Sequence, residues 1–291
     1  MSNKSASVNA HLRKISLGTL PVVLVLLLLS MPADGKEETR RVAIIIGNGS
    51  YLNTSELINP PNDAREMTLV LQTLDFRVHS FIDATIADLQ KLERDAEWLL
   101  QDADVGLFFY AGHGMQINGE NYMVPVDASF DDITDISSQL VSLTRFLKRM
   151  EEFTPTNLIF LDACRNNPLA GLVEDQMLAG RSLKVGGDDS VKYVGKGLAE
   201  MEASVGTLIA YATQPGNVAE DGQGGNSPFT TGLLRHIAEP GQEIREILTA
   251  VRVSVLDETS KRQIPWDHSS LTDEFYFIAP VKPKDIPIPP P

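Results

Sequence analysis

The sequence predicts an α/β protein built around a mainly parallel β-sheet, and three observations support this class. Apolar runs such as RVAIIIG at 41–47 and VGLFFY at 105–110 are continuous, as in strands that are buried on both faces. Segments of helical period separate these runs, which is the alternation of a parallel sheet covered by helices. A length of 291 residues with 43% hydrophobic content provides enough apolar material for a large core.

The predicted elements follow one another along the chain as strand and helix. Asn62 and Asp63 are placed to cap the first helix, and the helix at 85–103 carries one apolar stripe that starts at Ile86. The predicted strands lie at 41–47, 76–82, 105–110, 157–163, 207–212 and near 274–278, and the predicted helices at 64–74, 85–103, 142–153, 227–238 and 243–256.

The N-terminal segment 1–35 has the features of an export signal. Basic residues precede an apolar run at 17–29, and small residues follow at 33–35. We therefore expect an exported protein, periplasmic or secreted, with an uncleaved membrane anchor as the alternative. The remaining predicted segments are a larger part at 36–170, a surface linker at 171–204 without apolar period, a smaller part at 205–279 and a Pro-rich tail at 280–291.

Charge and cysteine content limit the classes of partner. The formal net charge is −14, which argues against nucleic acid as a partner, and against anionic membrane unless the N-terminal anchor is retained. The chain has one cysteine, so it forms no internal disulfide. A lone cysteine in an exported protein is either a buried relic or a thiol kept for chemistry.

Two predicted strands end at reactive side chains. The strand at 105–110 leads into His113, and the strand at 157–163 leads into Cys164. Sites of open α/β sheets form beyond the carboxyl ends of the strands, and a nucleophilic thiol needs an adjacent base. The glycines beside His113 allow a sharp turn, which would leave the backbone N–H of Gly114 to form an oxyanion hole with that of Cys164. A buried cysteine and a turn histidine are the structural alternatives.

The motifs YAGHG and LDACRNNP, with NDAREM, ENYMVPVDA, IAYATQPG and QIPWDHSSL, resemble those of the caspase-fold cysteine peptidases, specifically the bacterial metacaspase-like branch. The resemblance spans residues 41–279. It implies a three-layer α/β/α sandwich, with His113 as general acid/base and Cys164 as nucleophile. The two residues form a dyad without a third carboxylate, and their separation of about 50 residues is that of caspases.

The resemblance also implies an acidic primary specificity pocket made by Asp63 and Asp162. Two carboxylates that share a pocket repel each other unless a cation lies between them, so this pocket would select Arg or Lys. A helix cap for Asp63 and a turn role for Asp162 are the alternatives. The chain departs from the metacaspase pattern at Ala111, where serine is common, and at Pro60-Pro61, which replaces a cysteine.

No cofactor is required by these motifs, although many metacaspases need calcium. A loop with Asp127, Asp131 and Asp132, followed by Asp135, could supply hard oxygen ligands, and solvated loop charge is the alternative. Basic residues in the predicted linker suggest self-processing between the larger and smaller parts, namely Arg181, Lys184, Lys192 and Lys196.

The sequence therefore predicts a cysteine endopeptidase that acts on protein or peptide substrates with basic residues. The alternatives are a non-catalytic caspase-fold binding or signalling module, and the same dyad with Asp specificity. A nucleotide-binding oxidoreductase is a further alternative, but GNGSY at 47–51 lacks the third glycine of a dinucleotide fingerprint and is interpreted as a strand-to-loop turn.

Overall fold

The computed structural model describes residues 39–129, 135–164, 183–185, 190–195, 198–214, 219–222 and 224–281, with helical residues at 171, 173, 175, 177 and 178. For Cys164 it describes the backbone alone. The predicted signal at 1–35 and residues 282–291 of the predicted tail lie outside the described residues. Among the helices described, none has the length and apolar character needed to cross a membrane.

The central β-sheet is mixed and mostly parallel. Its strands are β1 (Arg41–Gly47), β2 (Phe76–Ile82), β3 (Val105–Ile117), β4 (Glu120–Met123), β5 (Val141–Ser142), β6 (Thr156–Cys164), β7 (Val194–Gly195), β8 (Thr207–Tyr211) and β9 (Trp266–Ser269). The main path runs β2-β1-β3-β6-β8-β9, parallel throughout except for β9. The strands β4, β5 and β7 form an antiparallel extension from the second half of β3.

Helices cover both faces of the main sheet. They are α1 (Pro60–Thr73), α2 (Ile86–Leu100), α3 (Leu143–Phe153), α4 (Pro228–His236) and α5 (Ile244–Glu258). One hydrophobic cluster packs α1, α4 and α5 against one face, and a second packs α2 and α3 against the other. Alternate residues of β1 and β3 enter the two clusters, as the pleat of a strand requires. This confirms the predicted three-layer α/β/α sandwich.

The start of α1 differs from the prediction. The cap residue is Asn59, whose side chain makes no cap hydrogen bond, and Pro60 and Pro61 form the first turn. Proline suits these positions because its fixed φ is helical and the first N–H groups have no intrahelical partner. The prediction that Asn62 and Asp63 cap this helix is therefore wrong, and the Asp63 side chain lies within the first turn of the helix.

The strand β3 is longer than predicted and changes sheets at the predicted site. It pairs with β6 as far as His113, and with β4 from Gly114 onwards. The backbone does not turn sharply here, although Gly112 has a φ of 151°, in the region that favours glycine. The glycines thus allow one continuous strand to pass from the main sheet into its antiparallel extension.

The last strand lies earlier than predicted. The strand β9 at Trp266–Ser269 pairs antiparallel with β8, whereas the segment near 274–278 contributes only an isolated bridge between Tyr276 and Glu243. Phe275 and Phe277 are buried in the cluster beside α5. The apolar side chains of this segment therefore pack on a helix layer, and the predicted strand near 274–278 is wrong.

The segment 171–204, predicted as a surface linker, contributes to a third hydrophobic cluster. Val173, Leu183, Val191 and Val194 are buried there against the second half of β3 and against β4. The strand β7 also pairs with Gln116 and Ile117 of β3. These described positions of the segment are packed rather than solvent-exposed. The division into a larger and a smaller part stays a prediction.

Candidate active site

The two predicted catalytic residues are register partners on neighbouring strands. The pairing of β3 with β6 runs from Val105 opposite Thr156 to His113 opposite Cys164. Paired strands lie about 4.8 Å apart, so the two Cα atoms are direct neighbours at one edge of the main sheet. The sequence argument that both strand ends meet at the same edge is confirmed. The catalytic roles of the two residues stay predictions.

The imidazole of His113 is held on one side by the loop that follows β1. Its Nε2 lies 2.9 Å from the carbonyl oxygen of Ser55, and its backbone N–H donates to Tyr51 Oη at 2.7 Å. The rings of Tyr51 and His113 have centroids 4.4 Å apart. Because a carbonyl only accepts hydrogen bonds, Nε2 carries the proton of the neutral ring and Nδ1 is left as the acceptor.

The electrostatics of His113 favour the neutral imidazole. The side chain is almost fully buried, and Nδ1 has no hydrogen-bond partner among the residues whose side chains are described. Burial lowers the pKa of His113, and the Ser55 carbonyl and the charge of Asp221 oppose that shift. A neutral ring with an open Nδ1 acceptor is the form that a general base needs.

Gly114, the predicted oxyanion residue, lies at the first position of the antiparallel extension, opposite Met123. A Cβ at this position would lie 2.7 Å from Leu198 Cδ2, so a side chain here would require Leu198 to shift. The side chain of Asn121 fixes Ala199, the residue after Leu198. It accepts from the N–H of Ala199 at 2.7 Å and donates to the carbonyl of Ala199 at 2.8 Å. Residues Leu198 and Ala199 of the predicted linker are thus packed beside Gly114, the residue that follows His113.

The two carboxylates of the predicted specificity pocket are linked through the start of α4. Asp63 and Asp162 are both buried, at 1% and 7% exposure. The backbone N–H of Ser227 donates to Asp63 Oδ1 at 3.1 Å, and the Ser227 hydroxyl donates to Asp162 Oδ2. Thr230 Oγ1 donates to the same Asp162 oxygen at 2.9 Å. The structure therefore brings the two predicted residues into one hydrogen-bonded group.

Burial and the charges of neighbouring carboxylates raise the pKa values of Asp63 and Asp162. Burial, and then the charge of Asp162, raise the pKa of Asp63 to about 9. Burial also raises the pKa of Asp162 to about 6, against the hydroxyl hydrogen bonds from Ser227 and Thr230 that favour its charged form. The group therefore holds at least one proton at neutral pH, which a bound cation would displace.

A third carboxylate, Asp221, was not among the predicted site residues. Its Oδ2 accepts the N–H of Ile58 at 3.1 Å, and its carbonyl accepts from the side chain of Asn59. Its charge contributes to the raised pKa of both Asp63 and Asp162, and burial raises its own pKa. Its one sequence signal was its place after β8, whose carboxyl end also faces this edge of the sheet.

The predicted calcium ligands are described only in part. Asp127 Oδ1 accepts the N–H of Ile86 at 2.8 Å, at the first residue of α2. Asp131 and Asp132 lie outside the described residues. Within the described part of the chain, no group of three or more His, Cys, Asp or Glu side chains could hold a metal. The calcium site stays a prediction, and no step below depends on it.

Two backbone N–H groups of the loop GNGSY that could bind a phosphate already have a hydrogen-bond partner within the protein. The N–H groups of Gly49 and Ser50 both donate to Asp83 Oδ1, at 2.8 and 2.9 Å. Dinucleotide binding requires such N–H groups for the ligand. This use of the loop argues against the oxidoreductase alternative.

The fold and the residues at the sheet edge define an α/β protein of the caspase type. The family model of the caspase domain, Peptidase C14, matches residues 40–276. This match covers most of the chain, and the chain belongs to the caspase domain family. The resemblance inferred from the motifs is thereby confirmed at the level of the family.

Two curated relatives share a shorter region with this chain. The mucosa-associated lymphoid tissue lymphoma translocation protein 1 of Homo sapiens is 36% identical over 140 residues, and its homolog of Mus musculus is 37% identical over 139 residues. Each match covers 45% of this chain, but only 17% and 16% of the relatives. The chain thus spans about a sixth of the length of the relatives it matches.

Proposed function

We propose that this protein is a cysteine endopeptidase that cleaves after Arg or Lys with a dyad of His113 and Cys164. One observation carries the proposal. The strand β6 bears both Cys164 and the buried Asp162 two residues before it, and its neighbour β3 bears His113 opposite the cysteine. A nucleophile position, a base and an anionic pocket therefore share one edge of the sheet.

The proposed reaction uses Nδ1 of His113 as the base. Nδ1 takes the thiol proton of Cys164, and the thiolate attacks the carbonyl carbon of the scissile bond. The backbone N–H groups of Gly114 and Cys164 would hold the oxyanion. The imidazolium then protonates the leaving amine as the C–N bond breaks, which leaves a thioester. Water, deprotonated by His113, then attacks the thioester carbonyl carbon. The C–S bond breaks, the carboxylic acid product leaves, and the imidazolium returns the proton to the Cys164 thiolate.

The acidic group supports a basic residue at the cleavage position. The charges of Asp162 and Asp221 raise the pKa of Asp63, and the charge of Asp221 raises that of Asp162, so a guanidinium or ammonium group would relieve this repulsion. A substrate Asp would add another negative charge to the same pocket. The geometry therefore favours Arg or Lys over the alternative of Asp specificity.

Self-processing is a further part of the proposal. Two of the four basic residues in the predicted linker make described backbone hydrogen bonds. The backbone carbonyl of Lys184 accepts from the N–H of Ile136 at 2.8 Å, and the backbone N–H of Lys192 donates to Asn118 Oδ1 at 2.8 Å. Arg181 and Lys196 lie outside the described residues. We expect the wild-type chain to be cut in the segment 171–204 while Cys164→Ala stays whole. A fully active chain that is never cut would contradict this part.

The substrate panel that tests the proposal compares fluorogenic peptides ending in Arg, Lys or Asp. Wild-type protein and Cys164→Ala are assayed with reductant, and with calcium or chelator to test the predicted activation. Cleavage after Arg and Lys, absent in the variant, is expected. Cleavage after Asp would refute the pocket assignment. Absence of cleavage by folded protein under every condition would refute the peptidase and favour a non-catalytic binding module.

We also propose that the protein is exported through the segment 1–35. The intact mass of the protein recovered from its source distinguishes a cleaved signal from a retained anchor. A cytoplasmic protein that keeps residues 1–35 would contradict export.

A further inference from the structure

The loop after β1 supplies the hydrogen-bond partner of the His113 imidazole and that of its backbone N–H. Ser55 accepts from Nε2, and Tyr51 accepts from the backbone N–H. The sequence interpretation of GNGSY as a simple turn leaves Tyr51 without a role. In the structure Tyr51 is buried, with its ring packed on the imidazole at a centroid distance of 4.4 Å and an interplanar angle of 40°.

The loop is held rigidly at its base, so Tyr51 starts from a fixed position. The buried side chain of Asn48 accepts the N–H of Ala84 at 2.9 Å and donates to the carbonyl of Val124 at 3.1 Å. The hydrogen bonds from Gly49 and Ser50 to Asp83 fix the next two residues. These contacts tie the loop to the ends of two separate elements.

The space for the tyrosine hydroxyl depends on Gly112. A Cβ at Gly112 would lie 2.8 Å from Tyr51 Oη, closer than such contacts allow. The hydroxyl reaches the His113 N–H through this gap, at the point where β3 leaves β6 and begins to pair with β4. The hydrogen bond therefore fixes the backbone of the histidine where the sheet pairing changes.

We propose that Tyr51 is a positioning residue for His113, a role that rests on the proposed dyad. The hydroxyl fixes the backbone of His113, and the ring limits rotation of the imidazole so that Nε2 stays on the Ser55 carbonyl and Nδ1 stays open. The face of an aromatic ring also attracts a cation, so Tyr51 favours the imidazolium that forms during the reaction. Gly112 leaves room for this arrangement, because a side chain at that position would displace the Tyr51 hydroxyl.

The kinetic effect falls on kcat rather than on KM, because Tyr51 makes no described contact with the carboxylates of the pocket. A misplacement of a catalytic group by about 1 Å costs up to about 100-fold in rate. We expect Tyr51→Phe, which keeps the ring, to lower kcat about tenfold, and Tyr51→Leu to lower it about 100-fold. In both variants KM for an Arg peptide stays within about twofold.

The deciding measurement observes His113 itself and does not require peptidase activity. Nitrogen NMR of histidine-labelled full chain reports the tautomer and pKa of His113 in the wild type, Tyr51→Phe, Tyr51→Leu and Gly112→Ala. We expect one Nε2–H tautomer in the wild type. We expect mixed tautomers in Tyr51→Leu, and a displaced His113 backbone N–H resonance in Tyr51→Phe and Gly112→Ala.

Tyr122→Phe is the matched control. Tyr122 is a buried tyrosine on β4 whose hydroxyl donates to Glu120 Oε2 at 3.2 Å and makes no described contact with His113. Its variant should leave the His113 resonances unchanged. If folded Tyr51→Leu keeps the wild-type tautomer and pKa of His113, the proposal is overturned, whatever happens to activity. If the wild type cleaves no peptide, the proposed function fails while the NMR comparison still decides the role of Tyr51.

Discussion

Different forces shape the surroundings of His113 on β3 and those of the predicted pocket carboxylates, Asp63 on α1 and Asp162 on β6. The hydrogen-bond partners that the loop after β1 gives to His113 are neutral, a carbonyl for Nε2 and a phenol for the backbone N–H. Asp63 and Asp162 are buried beside each other and share hydrogen bonds from Ser227 that compensate only in part. The imidazole is oriented without a ligand, whereas the carboxylates repel each other unless a proton or, in the proposed function, a substrate cation neutralises one of them.

This contrast separates the two regions experimentally. Changes on the histidine side should alter kcat and leave the affinity for substrate intact. Changes in the acidic pocket should alter KM, pH dependence and stability.

Removal of the base should have the largest effect. We expect His113→Ala to lower kcat by at least about 1000-fold with little change in KM, because general-base catalysis accounts for about 10²–10⁴ in rate and also activates the nucleophile. Steady-state kinetics on an Arg peptide measures this. His79→Ala, on the edge strand β2, is the control. A His113 variant with more than a tenth of wild-type kcat would exclude the histidine as the base.

Loss of one pocket carboxylate should have the next largest effect, and it should appear in KM. We expect Asp162→Asn to lower kcat/KM for Arg peptides about 100-fold, since truncating a buried charge partner costs about 2–5 kcal/mol. Glu151→Gln is the matched control. Its carboxylate also accepts hydroxyl hydrogen bonds, from Ser204 at 2.7 Å and Thr207 at 2.8 Å, beside the first residue of β8. An equal loss in both variants would show a general packing effect instead.

The affinity for a basic substrate should increase with pH. The pKa values of about 9 for Asp63 and about 6 for Asp162 mean that pocket protons must leave before a cation binds. We expect KM for an Arg peptide to fall about tenfold for each unit of pH over part of the range from 6 to 9, while one proton is displaced. In Asp63→Asn, KM for the same peptide should no longer change with pH above pH 7. A flat KM in the wild type would contradict the shared proton.

The smallest effect concerns stability without substrate. The folded-state pKa of Asp63 lies above its ordinary value of 3.8, so the folded state binds the extra proton and this group's contribution to stability is lost as pH rises from about 4 to about 9. Asp63→Asn cannot ionise. In the Cys164→Ala background, we therefore expect the Tm of Asp63→Asn minus the Tm of its parent to increase from pH 5 to pH 9.

Thermal unfolding at several pH values measures this difference. At this chain length, each kcal/mol corresponds to about 2–4 °C, so a difference of several degrees at pH 9 is within reach of the measurement. A constant difference across the range would mean that Asp63 titrates as an ordinary carboxyl.

Much of the core architecture was predictable because it depends on local patterns. The continuous apolar runs of β1 and β8 can only be strands buried on both faces, and the motifs at the ends of β3 and β6 place His113 opposite Cys164. The two carboxylates predicted for the pocket, Asp63 and Asp162, were likewise named from motifs, and in the structure both accept hydrogen bonds from Ser227.

The missed features depend on tertiary contacts that leave no periodic trace. The Ser55 carbonyl has no side-chain identity to recognise, and Asp221 follows a strand in a loop without a motif. The buried valines of 171–204 are separated by polar residues, so only the packed structure assigns them to a core. The strand β9 has four residues, and its pairing with β8 determines it more than its composition.

The most direct test of the central claim uses the fact that Cys164 is the only cysteine of the chain. The full chain is treated with two peptidyl fluoromethyl ketones, one ending in Arg and one in Asp, and intact-mass spectrometry with peptide mapping locates the adduct. We expect a single adduct on Cys164 from the Arg reagent, lost in His113→Ala and greatly slowed in Asp162→Asn. An adduct that forms as fast with the Asp reagent, or no adduct on folded protein, would contradict it.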